Sequence, residues 1–566
     1  MRFLRPTIYL FFFLLSAVFF SAHASAATYY VANAGNDNCD GTSQTIGTSG
    51  ACAWKTIAKV NTGTFASGDS ILFNKGDIWR EQFMLTAPNL TIGAYGNGDK
   101  PSIRGSDTYN NTVNWTNESG NLWYATAINN DPGIVLHDGS LSLRKTTKGA
   151  LSSQWDYWYD STNKRVYLYS AANPASSAAL LEIAARDNAF PFIYWTNVTL
   201  QNLDFRHFYA NILNSFGAAT GWDIESCDFG PTAKYAIQWN SNNTSADVTI
   251  NNSIFTDWGV LEGQQYAVQL IATASGTSRG DITNSTFTIN HNQNNVEIAA
   301  VMSDQQGWVR TFNGNTLVNN GNWPGVGMMI WRPGDSATDI TIKNNKIYRV
   351  GSFALGVQEL EANGAHPNVN ISDNYIEDAD QSDTLDTEAL RVRTFSGSSP
   401  VIVSDNIINK TKSGSNAHPG IYLYGAIGAK IYNNTIYGAD QGILVKSAST
   451  GNSIRNNISY SNRQYGIKLE DTSTVTIFSN NLFYNNTTSN YSGTSAGNGD
   501  IASNPNVVSS SDFHLQSSSP AINAGTDVGL TSDYDGSPLV GLPDIGAFEY
   551  QGDVTPPVAP SGLSVS

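Results

Sequence analysis

A short phrase recurs between residues 202 and 483, in which an apolar residue, two or three small polar residues rich in asparagine, and a second apolar residue follow one another. Successive copies lie 23 to 32 residues apart, and a period in this range indicates a solenoid. Each unit holds short alternating apolar runs bounded by Gly, Asn and Ser, so strands are favoured over helices. The closing apolar positions of the copies are Phe205, Phe229, Phe255, Phe287, Leu317, Ile347, Ile376, Ile408, Ile436, Ser459 and Phe483.

These repeats predict an all-β fold, a parallel β-helix of about eleven coils, in which each coil pairs its strands with the coils above and below. Asparagine suits the tight corners of such a coil because it tolerates positive φ and forms local hydrogen bonds. We therefore expect a stacked amide ladder, with Cys227 as a small inward-facing side chain in the same column. The ladder positions are Asn315, Asn345, Asn374, Asn406, Asn434, Asn457 and Asn481.

The first 26 residues resemble a secretory signal peptide, with two arginines, an apolar run from Ile8 to Phe20 and a small-residue cleavage site near Ala26. The apolar run is too short to cross a membrane. We expect a secreted, extracellular protein without a membrane partner. In an oxidising compartment, Cys39 and Cys52 are predicted to form a disulfide.

Charge narrows the range of partners. Only 14% of the residues are charged, against about 25% in typical globular domains. A net charge of -16 disfavours nucleic acid and anionic membranes, both of which attract basic patches. We expect a monomer that acts on a polysaccharide.

Metal-binding motifs are sparse in this sequence. It contains no CxxC pair and no HExxH motif, so we expect no transition-metal site and no other cofactor. The acidic run from Glu377 to Glu388 leaves calcium open, although it lacks the central glycine of an EF-hand loop. As a charge cluster it is more typical of a solvated loop.

Residues 28–106, with TYYVANAGNDNCDGT, WKTIAKVN and NLTIGAYGNGDKPSIRGSD, resemble the N-terminal segment of secreted bacterial right-handed β-helix proteins of the pectate-lyase-like superfamily. This resemblance implies a right-handed solenoid. The same superfamily includes polysaccharide lyases and glycoside hydrolases. Within this segment, Trp54 to Asn61 is predicted to be a short helix that covers the open end of the solenoid.

Pattern changes along the chain predict its organisation. Residues 111–190 read as antiparallel hairpins, similar to β modules inserted in some β-helix glycoside hydrolases. Residues 553–566 resemble a Pro-rich linker toward a fibronectin type III domain beyond this sequence. The predicted divisions are a signal peptide at 1–26, an N-terminal cap with the first coils at 27–110, the module at 111–190, the β-helix core at 191–495, a closing segment at 496–552 and the linker at 553–566.

A second strand in each coil locates the candidate chemistry. The coils between Phe255 and Ile436 are the longest, and extra residues in a solenoid commonly form loops on the binding face. Aligning Val268, Val296, Met328, Val357, Leu390, Ile421, Ile443 and Ile467 as inward residues makes their neighbours face outward. The predicted outward set is Gln269, Glu297, Met329, Trp331, Gln358, Glu359 or Glu361, Arg391, Arg393, Tyr422, Tyr424, Lys446, Lys468 and Glu470.

This set predicts a glycoside hydrolase with Glu297 and either Glu359 or Glu361 as acid and base. Two coils separate Glu297 from Glu359, so their backbones would lie roughly 10 Å apart. Side chains leaning together would reach the window of about 6.5–9.5 Å that inverting glycosidases use. Arg391 is a further catalytic candidate. The predicted substrate-binding residues are Gln269, Trp331, Arg332, Gln358, Arg393, Tyr422, Tyr424 and Lys446.

Two other functions stay open at this point. A polysaccharide lyase would use arginines and lysines of the outward set to neutralise a uronate carboxylate, but the pectate-lyase RxPxxR pattern is absent. The NTD, DD and RIK signatures of polygalacturonases are absent as well. A non-catalytic glycan-binding or adhesion protein is the third reading, and the lengthened middle coils disfavour it.

Overall fold

The computed structural model of the protein describes most of the chain. The described residues are 26–242, 244–261, 263–273, 276–291, 298–304, 307–321, 325–331, 339–360, 368–379, 388–395, 401–411 and 418–553. Within these ranges only the backbone is described at Phe192, Thr273, Ile298, Val326, Glu359, Leu360, Thr394, Phe395, Lys410, Thr411 and Asp553. The predicted signal peptide up to Ser25, most of the predicted linker and most of the acidic run lie outside the described residues.

Three long parallel sheets wind around one apolar core, so the predicted all-β parallel β-helix is confirmed. Sheet A has 14 strands, sheet B has 13 and sheet C has 12. Each full coil contributes one strand to A, then B, then C. The strands of sheet A are Thr28–Val31, Ser70–Asn74, Thr91–Tyr95, Thr199–Gln201, Trp222–Glu225, Ser245–Asn251, Thr277–Thr283, Gly307–Asn313, Ile340–Lys343, Val369–Ser372, Val401–Ser404, Lys430–Tyr432, Asn452–Arg455 and Val475–Ser479.

Sheets B and C complete the coils. The strands of sheet B are Ile78–Trp79, Ser102–Arg104, Asp204–Arg206, Asp228–Phe229, Ile254–Thr256, Thr286–Ile289, Thr316–Asn319, Lys346–Tyr348, Tyr375–Ala379, Ile407–Thr411, Thr435–Tyr437, Ile458–Tyr460 and Leu482–Tyr484. The strands of sheet C are Phe190–Ile193, Leu213–Phe216, Ile237–Asn242, Gln265–Thr273, Ile298–Asp304, Gly325–Trp331, Leu355–Leu360, Leu390–Phe395, Ile421–Tyr424, Gln441–Lys446, Tyr465–Leu469 and Ser489–Ser492.

The predicted stack of apolar positions is confirmed at every copy of the phrase. From Phe205 to Phe483 each predicted position pairs in register with the next one along sheet B, and all are buried. Phe229, Phe255 and Phe287 stack face to face, with ring centroids 5.0 and 4.6 Å apart. The core therefore contains a column of inward side chains, with one residue from each coil.

The asparagine ladder is also confirmed, and it lies at the corner between sheets A and B. The Oδ1 of Asn374, for example, accepts hydrogen bonds from the backbone N–H of Asn345 at 3.1 Å and from its Nδ2 at 2.9 Å. The same pair of bonds repeats up to Asn481, whose backbone N–H donates to Asp500. Ser285, Ser253 and buried Cys227 continue the column in the opposite direction.

The residue before each ladder position explains why asparagine occurs in pairs. Asn344, Asn433 and Asn456 have φ of 57°, 51° and 58°, in the left-handed region that asparagine tolerates best among residues with a Cβ. Asp373 and Asp405 hold this corner in two middle coils, with φ of 55° each. The first asparagine of each pair turns the chain, and the second bonds to the next coil.

An antiparallel module lies beside the first coils. Its two sheets each have four strands. One contains Ser106–Thr108, Val135–His137, Ser140–Leu141 and Leu181–Ala184, and the other contains Thr116–Ser119, Leu122–Ala125, Tyr157–Asp160 and Arg165–Tyr169. The helical segments are the helices Ile57–Asn61 and Pro174–Ser177 and the 3-10 helices Thr112–Asn114, Lys148–Ala150 and Gln551–Asp553.

A buried ion cluster fixes the module to the solenoid. Glu182 of the module is 1% exposed and lies 2.6 Å from Arg80 and 3.3 Å from Arg104. Burial by itself would raise the pKa of this carboxyl, but His207 and the two arginines hold the pKa well below its usual range. Glu182 therefore stays ionised, and its position determines how the module sits on the first coils.

The N-terminal helix is shorter than predicted. It spans Ile57–Asn61, and the hydroxyl of Thr56 caps it by accepting a hydrogen bond from the N–H of Lys59. Trp54 instead bridges Val31 in extended conformation and donates its indole N–H to the carbonyl of Cys39. Cys39 and Cys52 form a disulfide in this segment. No helix within the described part of the chain has the length and apolar character of a membrane span.

The C-terminal segment folds back along the outer face of sheet B. Phe513, Leu515 and Phe548 pack against Ile458 and Leu482 in a second apolar cluster. The corner residue Asn433 donates its amide to the carbonyls of Asp544 and Gly546. The segment therefore depends on the regular spacing of the coils on which it packs.

The ladder predicts that removing one of its amide groups lowers the stability of the fold. Replacing Asn374 by Ala removes the acceptor of two buried N–H groups of Asn345. We expect the free energy of unfolding to fall by about 2–4 kcal/mol in urea denaturation. Asn97→Ala, which removes an exposed amide in the turn after the strand Thr91–Tyr95, is the control and should change it by less than about 0.5 kcal/mol. Equal effects of the two substitutions would contradict a stabilising ladder.

A second prediction concerns Asp405, which is 4% exposed. Burial raises the pKa of Asp405 well above its usual range, and the nearby carboxyl groups of Asp373 and Asp533 raise it further. The hydrogen bond from Ser404 and the charge of Lys343 oppose this shift but do not cancel it. A raised pKa gives stability that is full below the unfolded pKa and is lost as pH rises through the folded pKa.

Asp405→Asn removes this titration and keeps a residue suited to positive φ. We expect the variant to melt at a higher temperature than the wild type at about pH 8 and to lose this advantage at about pH 4. Melting curves at several pH values measure the difference. A variant that melts below the wild type at both pH values would show that the Asp405 carboxyl stabilises the corner in its charged form.

Candidate functional site on the outer face of sheet C

The outer face of sheet C carries two rows of outward side chains. Their inward neighbours, such as Val268, Leu390 and Ile421, belong to the main core. The first outward row is Asn214, Gln238, Gln269, Met302, Met329, Gly356, Arg391, Tyr422, Leu444 and Lys468. The second outward row is Phe216, Asn240, Ile271, Asp304, Trp331, Gln358, Arg393, Tyr424, Lys446 and Glu470.

The register corrects the sequence alignment in one coil. Val301, not Val296, pairs with Val268 and with Met328. The outward positions of this coil are therefore Met302 and Asp304. Met302 takes the position that the alignment assigned to Glu297, and Glu297, the predicted acid or base, lies outside the described residues. A smaller shift affects Val357, which pairs with Ile330 and Val392, while Leu355 pairs with Met328.

The sequence analysis did not identify Asp304 as a candidate site residue. It is half-buried, and it follows Ser303, which pairs with Ile330 of the next coil. Asp304 therefore lies beside Trp331 in the second outward row, two coils before Gln358. The alternation of inward and outward positions along Val301, Met302, Ser303 and Asp304 is the sequence signal from which it could have been identified.

The centre of the site is an amide that accepts from two arginines. The Oε1 of Gln358 accepts hydrogen bonds from Arg391 at 3.4 Å and from Arg393 at 3.2 Å. Its Nε2 lies against the sulfur of Met329. Gln358 is buried and Arg393 is half-buried, so one guanidinium group lies at the floor of the site and the other reaches toward solvent.

Arg391 is covered although it points away from the core. It pairs with Glu388, and the side chains of both residues are only 2% exposed. Its guanidinium carbon lies 4.7 Å from the centre of the Phe353 ring. The interpretation of the acidic run as a solvated loop is therefore wrong for Glu388. Glu377 and Asp378 of that run lie in the strand Tyr375–Ala379, and residues 380–387 lie outside the described part.

Aromatic side chains continue the site on the following coil. Tyr422 and Tyr424 are half-buried, with ring centroids 5.6 Å apart, and the guanidinium of Arg393 lies 5.1 Å from the Tyr424 ring centre. Burial raises the pKa of Tyr422 to about 12, although the charge of Arg391 opposes the shift. Tyr422 is therefore a neutral hydrogen-bonding group at physiological pH.

The far end of the site is ionic. Glu470 lies 3.0 Å from Lys446 and 2.5 Å from Lys468. The hydrogen bond to Glu470 raises the pKa of Lys446, and the one from Lys468 lowers the pKa of Glu470. Lys446 therefore holds its proton and Glu470 stays ionised at neutral pH.

Of the other predicted residues, Gln269 accepts a hydrogen bond from Gln238 at 2.7 Å and lies buried in the first outward row. Glu359 lies next to Gln358 in the same strand, but its side chain is outside the described set, as are Glu361 and Arg332. Within the described ranges no three or more histidine, cysteine or carboxylate side chains are grouped to hold a metal ion.

The comparisons with known proteins address the fold. The family model described as right handed beta helix region matches residues 391–512. The chain is a right-handed parallel β-helix. The predicted resemblance to proteins of this architecture is thereby confirmed. A search of curated proteins found no match to the sequence.

Several solved structures are similar to this chain at low sequence identity. XylC, solved in complex with xylose, is 13% identical, with a TM-score of 0.58 over 92% of this chain and 98% of that chain. A glycoside hydrolase is 10% identical, with a TM-score of 0.45 over 75% of this chain and 96% of that chain. The Streptococcus pneumoniae surface protein and adhesin PfbA is 15% identical, with a TM-score of 0.36 over 77% and 93%. The similarity to XylC supports the fold.

The buried ion pair gives a prediction about the floor of the site. Glu388→Gln keeps the shape of the side chain but removes the charge that faces Arg391, so we expect a loss of about 1–3 kcal/mol in the free energy of unfolding. Glu470→Gln changes a partly exposed carboxylate of the same face and should cost less than about 1 kcal/mol. Urea denaturation of both variants measures the difference. A Glu388→Gln variant as stable as the wild type would show that the charge of Glu388 does not stabilise the floor.

Proposed function

We propose that the protein is a secreted carbohydrate-active enzyme, a glycoside hydrolase that cleaves a polysaccharide lying along the second outward row of sheet C. One observation carries this proposal: Asp304, Trp331, Gln358, Arg393 and Tyr424 occupy successive coils of one row. A carboxylate, an indole, an amide, a guanidinium and a phenol side by side supply proton transfer, ring stacking and hydrogen bonds to hydroxyl groups.

In this proposal Asp304 replaces Glu297 as one member of the acid–base pair, and Glu359 or Glu361 is the other. Asp304 lies two strand spacings from the coil of Gln358, so the backbones are roughly 10 Å apart. This separation supports two carboxyl groups at the distance of about 6.5–9.5 Å used by inverting glycosidases. Trp331 lies on the coil between them, where its ring would contact the sugar.

Two groups on this face are poor candidates for the base of a β-elimination. A lyase needs a base that removes the proton next to a uronate carboxylate, and tyrosine or lysine would have to lose its own proton first. The pKa of Tyr422 is raised to about 12 and that of Lys446 is also raised, so both hold their protons. Arg393 supports the lyase alternative, because it carries a half-buried positive charge beside the row.

Carboxylate-to-amide variants test this assignment. Asp304→Asn, Glu359→Gln and Glu361→Gln are compared with the wild type by release of reducing ends from the polysaccharide that it cleaves. We expect Asp304→Asn and one of the two glutamate variants to lose at least about 100-fold in rate, because each removes a proton-transfer group.

Asp223→Asn is the control, since Asp223 is an exposed carboxylate on the strand Trp222–Glu225 of sheet A. Its rate should stay within about twofold of the wild type. Circular dichroism melts confirm that each variant is folded. Full activity of folded Asp304→Asn would remove Asp304 from the mechanism.

A further inference from the structure

Two large aromatic side chains are exposed at the N-terminal end of sheet C. Tyr194 is 53% exposed and Phe216 is 58% exposed. Ile193 pairs with Ser215, so the residues that follow them, Tyr194 and Phe216, lie on neighbouring coils. Exposed aromatic area of this kind loses the stabilisation that burial would give, and two exposed aromatic residues on neighbouring coils offer a larger contact surface than a single one.

These rings continue the row that holds the candidate catalytic groups. Phe216 pairs with Asn240, Asn240 with Ile271, and Ile271 with Asp304. Strands in a sheet are about 4.8 Å apart, so Phe216 lies roughly 14 Å from Asp304 along the solenoid axis. The whole row from Phe216 to Tyr424 spans seven spacings, or roughly 34 Å.

We propose that Tyr194 and Phe216 form a distal subsite that stacks against sugar rings of the same polysaccharide chain that is cleaved near Asp304. This proposal rests on the proposed function. A strand spacing is close to the length of one sugar residue in an extended chain, so a polymer running along the axis presents about one residue to each coil. The substrate is then a long chain, and an oligosaccharide held at Trp331 and Tyr424 is too short to reach Phe216.

The chemistry of the intervening positions defines what this subsite recognises. Asn240 and Ile271, the row residues between Phe216 and Asp304, are uncharged and half-buried. The aromatic rings offer apolar faces that fit the C–H face of a pyranose ring. The subsite therefore selects chain length through ring stacking, whereas charged substituents are met at Arg393 and Lys446.

The double variant Tyr194→Ala/Phe216→Ala tests the subsite. Both positions are exposed, so we expect the variant to fold, and a melting curve that matches the wild type shows that any loss of binding is not caused by misfolding. Native electrophoresis in gels containing soluble xylan, mixed-linkage glucan, polygalacturonate or alginate measures polymer affinity. We expect about tenfold weaker retardation by the polysaccharide that binds the wild type. The rate of cleavage of a trisaccharide of the same sugar, which spans only about three coils and does not reach from Trp331 to Phe216, should not change.

Ile254→Ala is the matched control, because Ile254 is 44% exposed on sheet B, and it should be retarded like the wild type. A double variant that is retarded like the wild type overturns the subsite and leaves the proposed function intact. Equal losses on polymer and trisaccharide also overturn it, because the rings would then act at the cleavage site. A wild type that neither binds nor cleaves any of the four polysaccharides overturns both proposals.

Discussion

The buried ladder of amide groups is the interaction on which the rest of this structure depends. From Ser285 to Asn481, each member satisfies a backbone N–H of the neighbouring coil through its side chain. Because a buried N–H without an acceptor is costly, a coil can shift in register only by breaking bonds on both of its sides. The corner residue at positive φ before each ladder position fixes the direction in which the chain enters sheet B.

This regularity gives the chain a surface on which separate coils align their side chains. The strands of sheet C stack in register, so Asp304, Gln358 and Arg393 lie in one row on the same face although they are distant in sequence. The longer coils add residues without disturbing the core, since the apolar column of sheet B continues through them unchanged. The ladder thus holds the coils in register, while loop length and outward residues vary.

Sequence reasoning succeeded where each repeat carries its own signal. The individual residues of the apolar column and of the ladder were predicted correctly, because the copies of the phrase that form the ladder each contain one inward residue and one asparagine at a fixed distance from it. The outward rows were predicted for most coils of sheet C by period-two alternation. The alignment failed at Val296, because the run from Val296 to Met302 offers several apolar residues of either parity, and only pairing with neighbouring coils selects Val301.

Burial of charge could not be predicted from the sequence for a different reason. Glu388 lies in a run of acidic residues that is typical of a solvated loop, yet its side chain is 2% exposed beside Arg391. Whether a carboxylate is covered depends on how the chain packs around it, here on Arg391, three residues further along, and on the more distant Phe353 ring, which contacts that arginine. Glu182 is a second case, since Arg80, Arg104 and His207 come from other parts of the chain.

The most direct test of the central claim, hydrolysis on the outer face of sheet C, is an analysis of the products formed by the full-length protein from a panel of neutral, uronic and sulfated polysaccharides. Reducing ends and the ultraviolet absorbance of unsaturated uronates are followed in the same reaction. Our account predicts new reducing ends without new absorbance. Reducing ends that appear together with absorbance would contradict it, because they would show cleavage by β-elimination.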